Sequence, residues 1–378
     1  MIYKEFQDLK LPALGVGMMR LPVKGQGETP IDEERTAEMI AYAMGHGVNY
    51  FDTAYGYHES QSEVIAGRLL TKYPRDSYYL ADKFPGYDLA NMDKVEEIFE
   101  EQLKRCQTDY FDFYMFHNVC EMNVEQYLDE TYGILTYLLE QKAAGRIRCL
   151  GFSAHGGYDV MKRFLDSCGE EMEFCQIQLN YLDWKFQDAK AKVELLKEYG
   201  IPLWVMEPLR GGALVSLSKE SEGKLKALRP EEEIPAWAFR FLQSLPQTVV
   251  TLSGMSNFEQ IKANIATFSE EKPLEDHEMR TLLEIADEKI KSIGLPCTKC
   301  GYCVSHCPQK LDIPKLLELY NEHRSTEHTF GFIAPMALAA QPEEKHPKSC
   351  VGCGSCEAVC PQQLKIADAM ADFAQKLK

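Results

Sequence analysis

The sequence has no run of 18 apolar residues, which argues against a membrane-spanning helix. Positive charge is in deficit: 41 Lys and Arg face 58 Asp and Glu, a formal net charge of -17. A nucleic-acid partner is therefore not expected, because phosphate binding needs a basic face that releases counterions. Low-complexity tracts are absent, and 45% hydrophobic with 26% charged residues is a globular composition, not that of a disordered chain. The opening MIYKEFQDLKLPALG lacks the basic flank and apolar core of a secretory signal, so the expected location is the cytoplasm.

Cysteine, by contrast, is abundant. Thirteen cysteines in an intracellular chain are not expected to be disulfides, since the cytosol keeps thiols reduced. Eight fall in two tight groups after residue 296, while Cys106, Cys120, Cys149, Cys168 and Cys175 are scattered without ligand spacing and read as small buried hydrophobes. The chain is long for one core, so two domains are expected. Charge divides along the same line. Residues 1–290 hold 31 Lys and Arg against 49 Asp and Glu, whereas residues 291–378 hold 10 against 9.

Through the larger part, apolar runs of strand length alternate with helical patterns, the signature of repeated strand–helix units on a parallel sheet. The strands are expected at 13–19, 48–53, 78–84, 110–117, 148–153, 174–180, 202–207 and 248–253, with helices near 32–46, 60–72, 91–106, 124–143, 157–168, 186–199, 231–243 and 257–268. Eight such units in about 270 residues imply a (β/α)8 TIM barrel, an α/β fold. The residues before 13 are compatible with a short hairpin across the barrel's bottom. A further amphipathic helix at 275–291 and the punctuation IGLP at 293–296 place the domain boundary at 291/292. Residues 312–323 read as a helix capped by Asp312 with Pro314 in its first turn; the segment 325–348 has no assignable pattern.

Cys297, Cys300, Cys303 and Cys307, followed by Pro308, give C-x2-C-x2-C-x3-C-P, and Cys350, Cys353, Cys356, Cys360 and Pro361 repeat it. That is the ligand run of bacterial ferredoxins. Gly301, Gly352 and Gly354 permit the backbone turns that bring amides toward the sulfurs. A zinc site would use two C-x2-C pairs and would have no need of a third cysteine or a trailing proline. Residues 292–378 resemble the dicluster ferredoxin domains, in their mainly helical form because more than 40 residues separate the runs. The resemblance implies two [4Fe-4S] clusters, with the fourth cysteine of each run reaching the other cluster: Cys297, Cys300, Cys303 and Cys360 on one, Cys350, Cys353, Cys356 and Cys307 on the second.

In a TIM barrel the reacting groups sit at the C-terminal strand ends. There the sequence places Asp52 and Tyr57 in FDTAYGYHESQSE, Lys83 in YLADKF and His117 in FYMFHN. One ionisable residue at a strand end is ordinarily a solvated charge; four at three consecutive ends are not. With D-T-A-x-x-Y at Asp52 to Tyr57, then Gly151 to Ser153, Gln176 with Asn180, Pro208 to Leu209 and Ser253 to Asn264 in order, residues 10–290 resemble the aldo-keto reductases. The whole chain resembles those of the family that carry a C-terminal ferredoxin-like domain.

That resemblance implies a cytoplasmic iron–sulfur oxidoreductase moving hydride between NADP or NAD and a small carbonyl or alcohol substrate. Tyr57 would be the general acid, its high pKa lowered by Lys83, with Asp52 holding Lys83 and His117 orienting the carbonyl. By the same resemblance, Ser153 and Gln176 contact the nicotinamide carboxamide, and Met206 covers the ring where many relatives have an aromatic residue. Pro208, Leu209, Gly254, Ser256, Gln260 and Asn264 line the rest of the nucleotide. Gly254 and Gln260 stand where NADP-selective relatives have Lys and Arg, so Arg210 is the expected substitute for a 2'-phosphate contact and the choice of nucleotide stays open. A second reading of the chain is an electron-transfer module whose barrel docks a redox partner protein; Ala154, Met206 and Gln260 favour it, and the tetrad favours the enzyme. A third makes the clusters purely structural. Substrate choice would fall to loops including Phe84 to Tyr87, Val119 to Met122 and Asp183 to Phe186.

Overall fold

A computed structural model gives the fold. It describes residues 1–25, 30–295, 297, 301, 303–326, 331–360 and 362–377, so that Cys300 and Pro361 of the cysteine runs lie outside the described residues. Contacts divide the chain into two units, Met1–Leu282 and Leu283–Lys378.

The first unit opens with a hairpin, β1 (Tyr3–Phe6) and β2 (Leu9–Pro12). Eight parallel strands follow: β3 (Leu14–Gly17), β4 (Tyr50–Asp52), β5 (Tyr79–Phe84), β6 (Phe111–Val119), β7 (Ile147–Ala154), β8 (Phe174–Gln178), β9 (Leu203–Met206) and β10 (Thr248–Ser253). They close in the order β10-β3-β4-β5-β6-β7-β8-β9, a complete (β/α)8 barrel. Strands enclosed on both faces need nearly continuous apolar sequence, and these have it; β6, FDFYMFHNV, is buried along its whole length except at His117. The hairpin fills the end of the barrel where the strands begin. Phe6, Leu9 and Leu11 share a core with Tyr50, Phe113, Phe174 and Trp204, and the Phe6 and Trp204 rings meet edge-on at 4.9 Å.

The barrel helices are α1 (Glu33–Gly45), α2 (Ser62–Leu70), α3 (Val95–Cys106), α4 (Val124–Tyr127), α5 (Ile134–Ala143), α6 (Tyr158–Cys168), α7 (Asp183–Phe186), α8 (Ala189–Glu198), α9 (Lys219–Leu228), α10 (Ile234–Gln243) and α11 (Phe258–Thr267). The helix expected at 124–143 is broken in two, and the one expected at 186–199 starts late, at Ala189, after a separate short helix. Gly133, at φ 63°, separates α4 from α5, and Asp188, at φ 52°, separates α7 from α8, each in a left-handed conformation that no helix continues through. Helix α9, capped by Ser218, has no counterpart in the sequence expectation. The five scattered cysteines are buried and unpaired by disulfide, as expected.

Helix α12 (Asp276–Ile293) carries the chain from the first unit into the second. There α13 (Ile313–Ser325) starts at Asp312, whose carboxylate accepts the Lys315 N–H. The unassigned segment contains α14 (Ile333–Ala339), and α15 (Ser355–Ala358) and α16 (Ile366–Lys376) complete the unit. Its core is small: Leu316, Leu317, Tyr320, Leu338, Met370 and Phe373 are among the buried side chains, together with Cys303 and Cys356. The Tyr320 hydroxyl ties α13 to α16 by donating to Asp372 at 2.8 Å. Among the described residues, no helix is long and apolar enough to cross a membrane.

Candidate functional site

Parallel pairing of β4, β5 and β6 sets Asp52, Lys83 and His117 side by side at the barrel mouth. The Lys83 ammonium is fully enclosed and donates to Asp52 Oδ1 at 2.7 Å and to the Thr53 carbonyl at 2.6 Å. It also lies 5.1 Å from the centre of the Tyr57 ring. The Tyr57 and His117 rings stand edge to face at 6.1 Å, and Tyr87 meets His117 the same way at 5.0 Å. All four side chains expected from sequence therefore converge. Asp52 Oδ2 and His117 Nδ1 are buried without a hydrogen-bond partner among the described residues. Unsatisfied buried polar atoms are costly and uncommon, so their clustering marks a place where another molecule completes the hydrogen bonding.

Burial dominates the electrostatics. It pushes the Asp52 carboxyl up, against the pull of Lys83. Burial pulls the Lys83 ammonium down, but Asp52 and Tyr57 together hold it above its ordinary value. The His117 imidazolium is driven well below its usual range by burial and by Lys83, leaving a neutral ring at neutral pH. Tyr57 differs from expectation. Lys83 does lower its pKa, but loss of water around the phenol outweighs the ammonium and the net shift is upward.

On the next strands Ser153 and Gln176 are register partners across β7 and β8. Ser153 Oγ accepts the Asn118 N–H at 2.8 Å, while Gln176 Oε1 is buried without a partner among the described residues. The Gln176 amide also lies 3.7 Å from the Met206 sulfur. An orphaned amide acceptor beside a thioether face fits a flat ring bearing a carboxamide. Pro208 is buried and Leu209 partly exposed on the loop after β9. Arg210 departs from expectation: it is 2% exposed, with Nε donating to Asp183 Oδ1 at 2.9 Å. Burying a guanidinium requires such a partner, and the pair fastens the loop after β9 to α7 in place of an open phosphate contact. Beyond β10, Gly254 is exposed, and the Ser256 hydroxyl donates to the Arg20 carbonyl. The Gln260 side chain folds back to accept the Ser256 N–H at 2.7 Å, and Asn264 donates to Ser253 Oγ at 3.0 Å.

In the second unit, one pocket is lined by Cys307, Cys350, Cys353 and Cys356, with Leu311, Ile313, Ile366 and Met370 as its apolar wall. Cys307 comes from the first run and the other three from the second. Gly301, Gly352 and Gly354 all have positive φ, 79°, 66° and 69°, as the turns around the sulfurs require. Cys297 and Cys360 pack against the same core. A pocket shared by one cysteine of the first run and three of the second is the combination that a cluster with crossed ligands needs, although among the described residues no three such side chains are drawn together tightly enough to hold a metal ion as they stand.

With this geometry in view, comparison with known proteins is decisive for the family. The aldo/keto reductase family profile matches residues 13–287, and a 4Fe-4S dicluster domain profile matches residues 296–364. The chain belongs to the aldo/keto reductase family. Relatives include a probable aldo-keto reductase 1 of Glycine max, 27% identical over 54% of this chain and 58% of that protein. L-galactose dehydrogenase of Arabidopsis thaliana is 26% identical over 76% of this chain and 94% of its own length. Among solved structures, an aldo-keto reductase from Klebsiella pneumoniae in complex with NADPH superposes with a TM-score of 0.60 at 18% identity, covering 76% of this chain and 96% of that one. In this chain the aldo/keto reductase barrel is joined to a C-terminal 4Fe-4S dicluster domain.

Several residues that shape this aldo/keto reductase site escaped the sequence reading. Directly after Tyr57, His58, Glu59 and Ser60 have φ of 52°, 52° and 65°, an uncommon left-handed run that needs anchoring. Buried His58 supplies it by accepting the Leu21 N–H at 3.0 Å, and Thr53 and Ser62 close the turn through their hydroxyls at 2.8 Å. Tyr127 donates to the His117 carbonyl at 2.8 Å. His155 follows β7, its imidazolium depressed to about 3 by burial and by Lys192. The D-T-A-x-x-Y-H-x-x-x-S spacing was visible, but only the folded turn shows why His58 and Ser62 belong to it.

Proposed function

We propose that the protein is an iron–sulfur oxidoreductase that transfers hydride between NADPH or NADH and a small carbonyl or alcohol substrate, with Tyr57 as the general acid and base. The observation that carries this reading is the enclosed Lys83–Asp52 pair beneath the Tyr57 ring, with Asp52 Oδ2 and the nearby His117 Nδ1 both unpartnered among the described residues. A buried ion pair is a poor stabilising device compared with apolar packing, so its location under a phenol favours a chemical role.

In the direction of reduction, the Tyr57 hydroxyl donates its proton to the substrate oxygen as negative charge develops there. The raised pKa keeps the phenol protonated at rest. Lys83 acts later in the step, by stabilising the phenolate that donation leaves behind, and Asp52 keeps Lys83 charged and aimed. His117, neutral at working pH, offers a hydrogen bond that orients the oxygen without competing as an acid. In the reverse direction Tyr57 takes the proton back. A bound nicotinamide supplies or accepts the hydride. Ser153 and Gln176 would hold its carboxamide and Met206 its face, while Pro208, Leu209, Gly254, Ser256, Gln260 and Asn264 would line the remainder; Arg210 holds their loop in place. Residues 292–378 would bind two [4Fe-4S] clusters in the crossed arrangement, supported for the second by the pocket that Cys307 shares with Cys350, Cys353 and Cys356. Such clusters supply one-electron transfer.

The test is titration of anaerobically purified protein with NADPH and NADH, followed by single-turnover assays on a carbonyl panel. Binding of either nucleotide, with turnover lost in Tyr57→Phe, is expected. If neither nucleotide binds, the barrel is a docking module for electron transfer and the reductase reading fails.

A further inference from the structure

Strand alternation sends Lys83 into the barrel and its neighbour Asp82 outward, under α2 and α3. Asp82 is fully buried, and so are Glu63 on α2 and Gln102 on α3. The three meet at one nitrogen. Gln102 Nε2 lies 2.9 Å from Glu63 Oε1, 3.0 Å from Asp82 Oδ1 and 3.0 Å from the Lys83 carbonyl oxygen. A primary amide nitrogen has two hydrogens, so three acceptors compete for two donors. Turning the amide over does not help. Its oxygen already accepts the Tyr114 hydroxyl at 2.5 Å, and the reversed group would set that oxygen against three acceptors.

Charge is short in the same way. From α3, Arg105 donates to Glu63 Oε2 at 2.9 Å but divides itself with Glu101 at 2.5 Å, and its guanidinium also covers the Tyr55 ring. The Cys106 thiol stands 3.7 Å from Asp82 Oδ2. From β5, the Lys83 N–H donates to Asp82 Oδ1 at 2.8 Å, but the Lys83 ammonium is committed to Asp52 on β4. From β6, among the described residues, comes only the Tyr114 phenol. Two buried carboxylates with one divided cation cannot both remain ionised cheaply.

We propose that Glu63 and Asp82 share one proton at neutral pH, which makes Asp82 a positioning residue behind Lys83. The proton turns one acceptor into a donor and so resolves the count around Gln102. It also leaves the pair with one negative charge, which Arg105 can balance. Burial, then the Glu63 charge, push the Asp82 carboxyl well above the carboxylate range, and burial raises Glu63 as well. For the reaction, the shared proton keeps a second carboxylate from standing behind Lys83, where it would raise the Tyr57 pKa further. This last consequence rests on the tetrad reading; the shared proton does not.

The experiment is infrared spectroscopy of the full, cluster-loaded chain between pH 6 and 8, with aspartate and glutamate separately labelled with carbon-13 at the side-chain carboxyl. A buried carboxylic-acid carbonyl band that shifts on labelling and disappears in both Asp82→Asn and Glu63→Gln is expected. A wild-type spectrum without such a band overturns the proposal. A band that survives in Glu63→Gln overturns the sharing, because it shows a lone protonated Asp82. The two variants remove opposite halves of the pair, so failure of one to fold leaves the other, with the wild-type labelling, to decide. Tyrosinate titration, read as each protein minus its Tyr57→Phe counterpart, tests the link to the tetrad separately. Glu63→Gln, which leaves Asp82 as the lone, ionised carboxylate behind Lys83, should move Tyr57 ionisation to higher pH. An unmoved titration with the infrared band confirmed leaves the proton in place and refutes its coupling to Tyr57.

Discussion

The barrel mouth and the cysteine pocket are both built from polar groups in apolar surroundings, yet they are held in opposite ways. At the mouth the protein itself holds the reacting groups in place, leaving Asp52 Oδ2 and His117 Nδ1 open among the described residues: Lys83 is enclosed with two acceptors in reach, and His58, Thr53 and Ser62 lock the turn that carries Tyr57. In the pocket, Cys353 is exposed and Cys307 and Cys350 half-buried, and the thiols are too weak as hydrogen-bonding groups to hold one another. A site of the first kind survives the loss of its ligand. One of the second kind takes its rigidity from the ligand bonds, because metal binding to such a site is part of its folding free energy.

The largest expected effect follows from that difference. Chelation of iron under reducing, anaerobic conditions should unfold the region around Cys307, Cys350, Cys353 and Cys356 while the barrel stays folded. Limited proteolysis with mass spectrometry would read it as cleavage confined to residues 297–378. Equal protection of both units after complete iron loss would erase the contrast.

Next in size is the converse test. Tyr57→Phe should lower carbonyl reduction by about 10²–10⁴-fold, the ordinary range for loss of a general acid, with iron content and nucleotide affinity within about twofold of wild type. Lys83→Met should be comparably damaging, since the phenolate then forms without its ammonium, and it also leaves Asp52 buried and unpaired. Near-normal turnover by Tyr57→Phe on a confirmed substrate would end the proton-donor assignment.

A smaller effect sharpens the pocket itself. The intact protein should contain about eight irons per chain, the sum of two four-iron clusters. Cys307→Ser should cost about half of that iron, and the loss should fall on the cluster bound by the second run. Loss confined to the first run, resolved by paired Cys303→Ser and Cys356→Ser preparations, would show that the runs do not cross.

Sequence periodicity was enough for the barrel because each strand is apolar on both faces and each ends in a turn signal; all eight strands form where the pattern placed them, within a few residues. The helix breaks at Gly133 and Asp188 were harder to see, since a left-handed residue inside an apolar pattern leaves the pattern intact. The tetrad was legible from spacing. Its electrostatics were not, because the sign of the Tyr57 shift depends on burial, which outweighs the visible lysine. Arg210 misled for a related reason: an arginine in a loop reads as exposed until Asp183 is found against it. Asp82 reads as one half of an ordinary Asp-Lys dipeptide, and nothing in the linear order announces that Glu63 and Gln102 close over it.

The smallest expected effect concerns pH and the neutral imidazole. His117 binds its proton less readily in the folded protein than in the unfolded chain, where an ordinary histidine titrates near about 6.5. Above that pH both states are neutral at His117 and its contribution to stability is fully present. As pH falls below it, the unfolded state takes up a proton that the folded state refuses, so stability declines until the depressed folded value is reached. The slope for one such group approaches about 1.4 kcal/mol per pH unit, or a few degrees of melting temperature in a domain of this size. Asp52, Asp82 and Glu63 have raised values and act in the opposite sense, being more stabilising when protonated, so the wild-type curve alone is ambiguous. The difference between wild type and His117→Gln isolates the imidazole, because glutamine keeps a polar group at the mouth without a titrating proton. Melting of the barrel, followed by tryptophan fluorescence from Trp184, Trp204 and Trp237, should show the variant losing less stability than wild type between pH 7 and pH 5. Parallel curves would mean that His117 is charged or freely solvated in the folded protein, and the role of a neutral hydrogen-bond donor would fall with it.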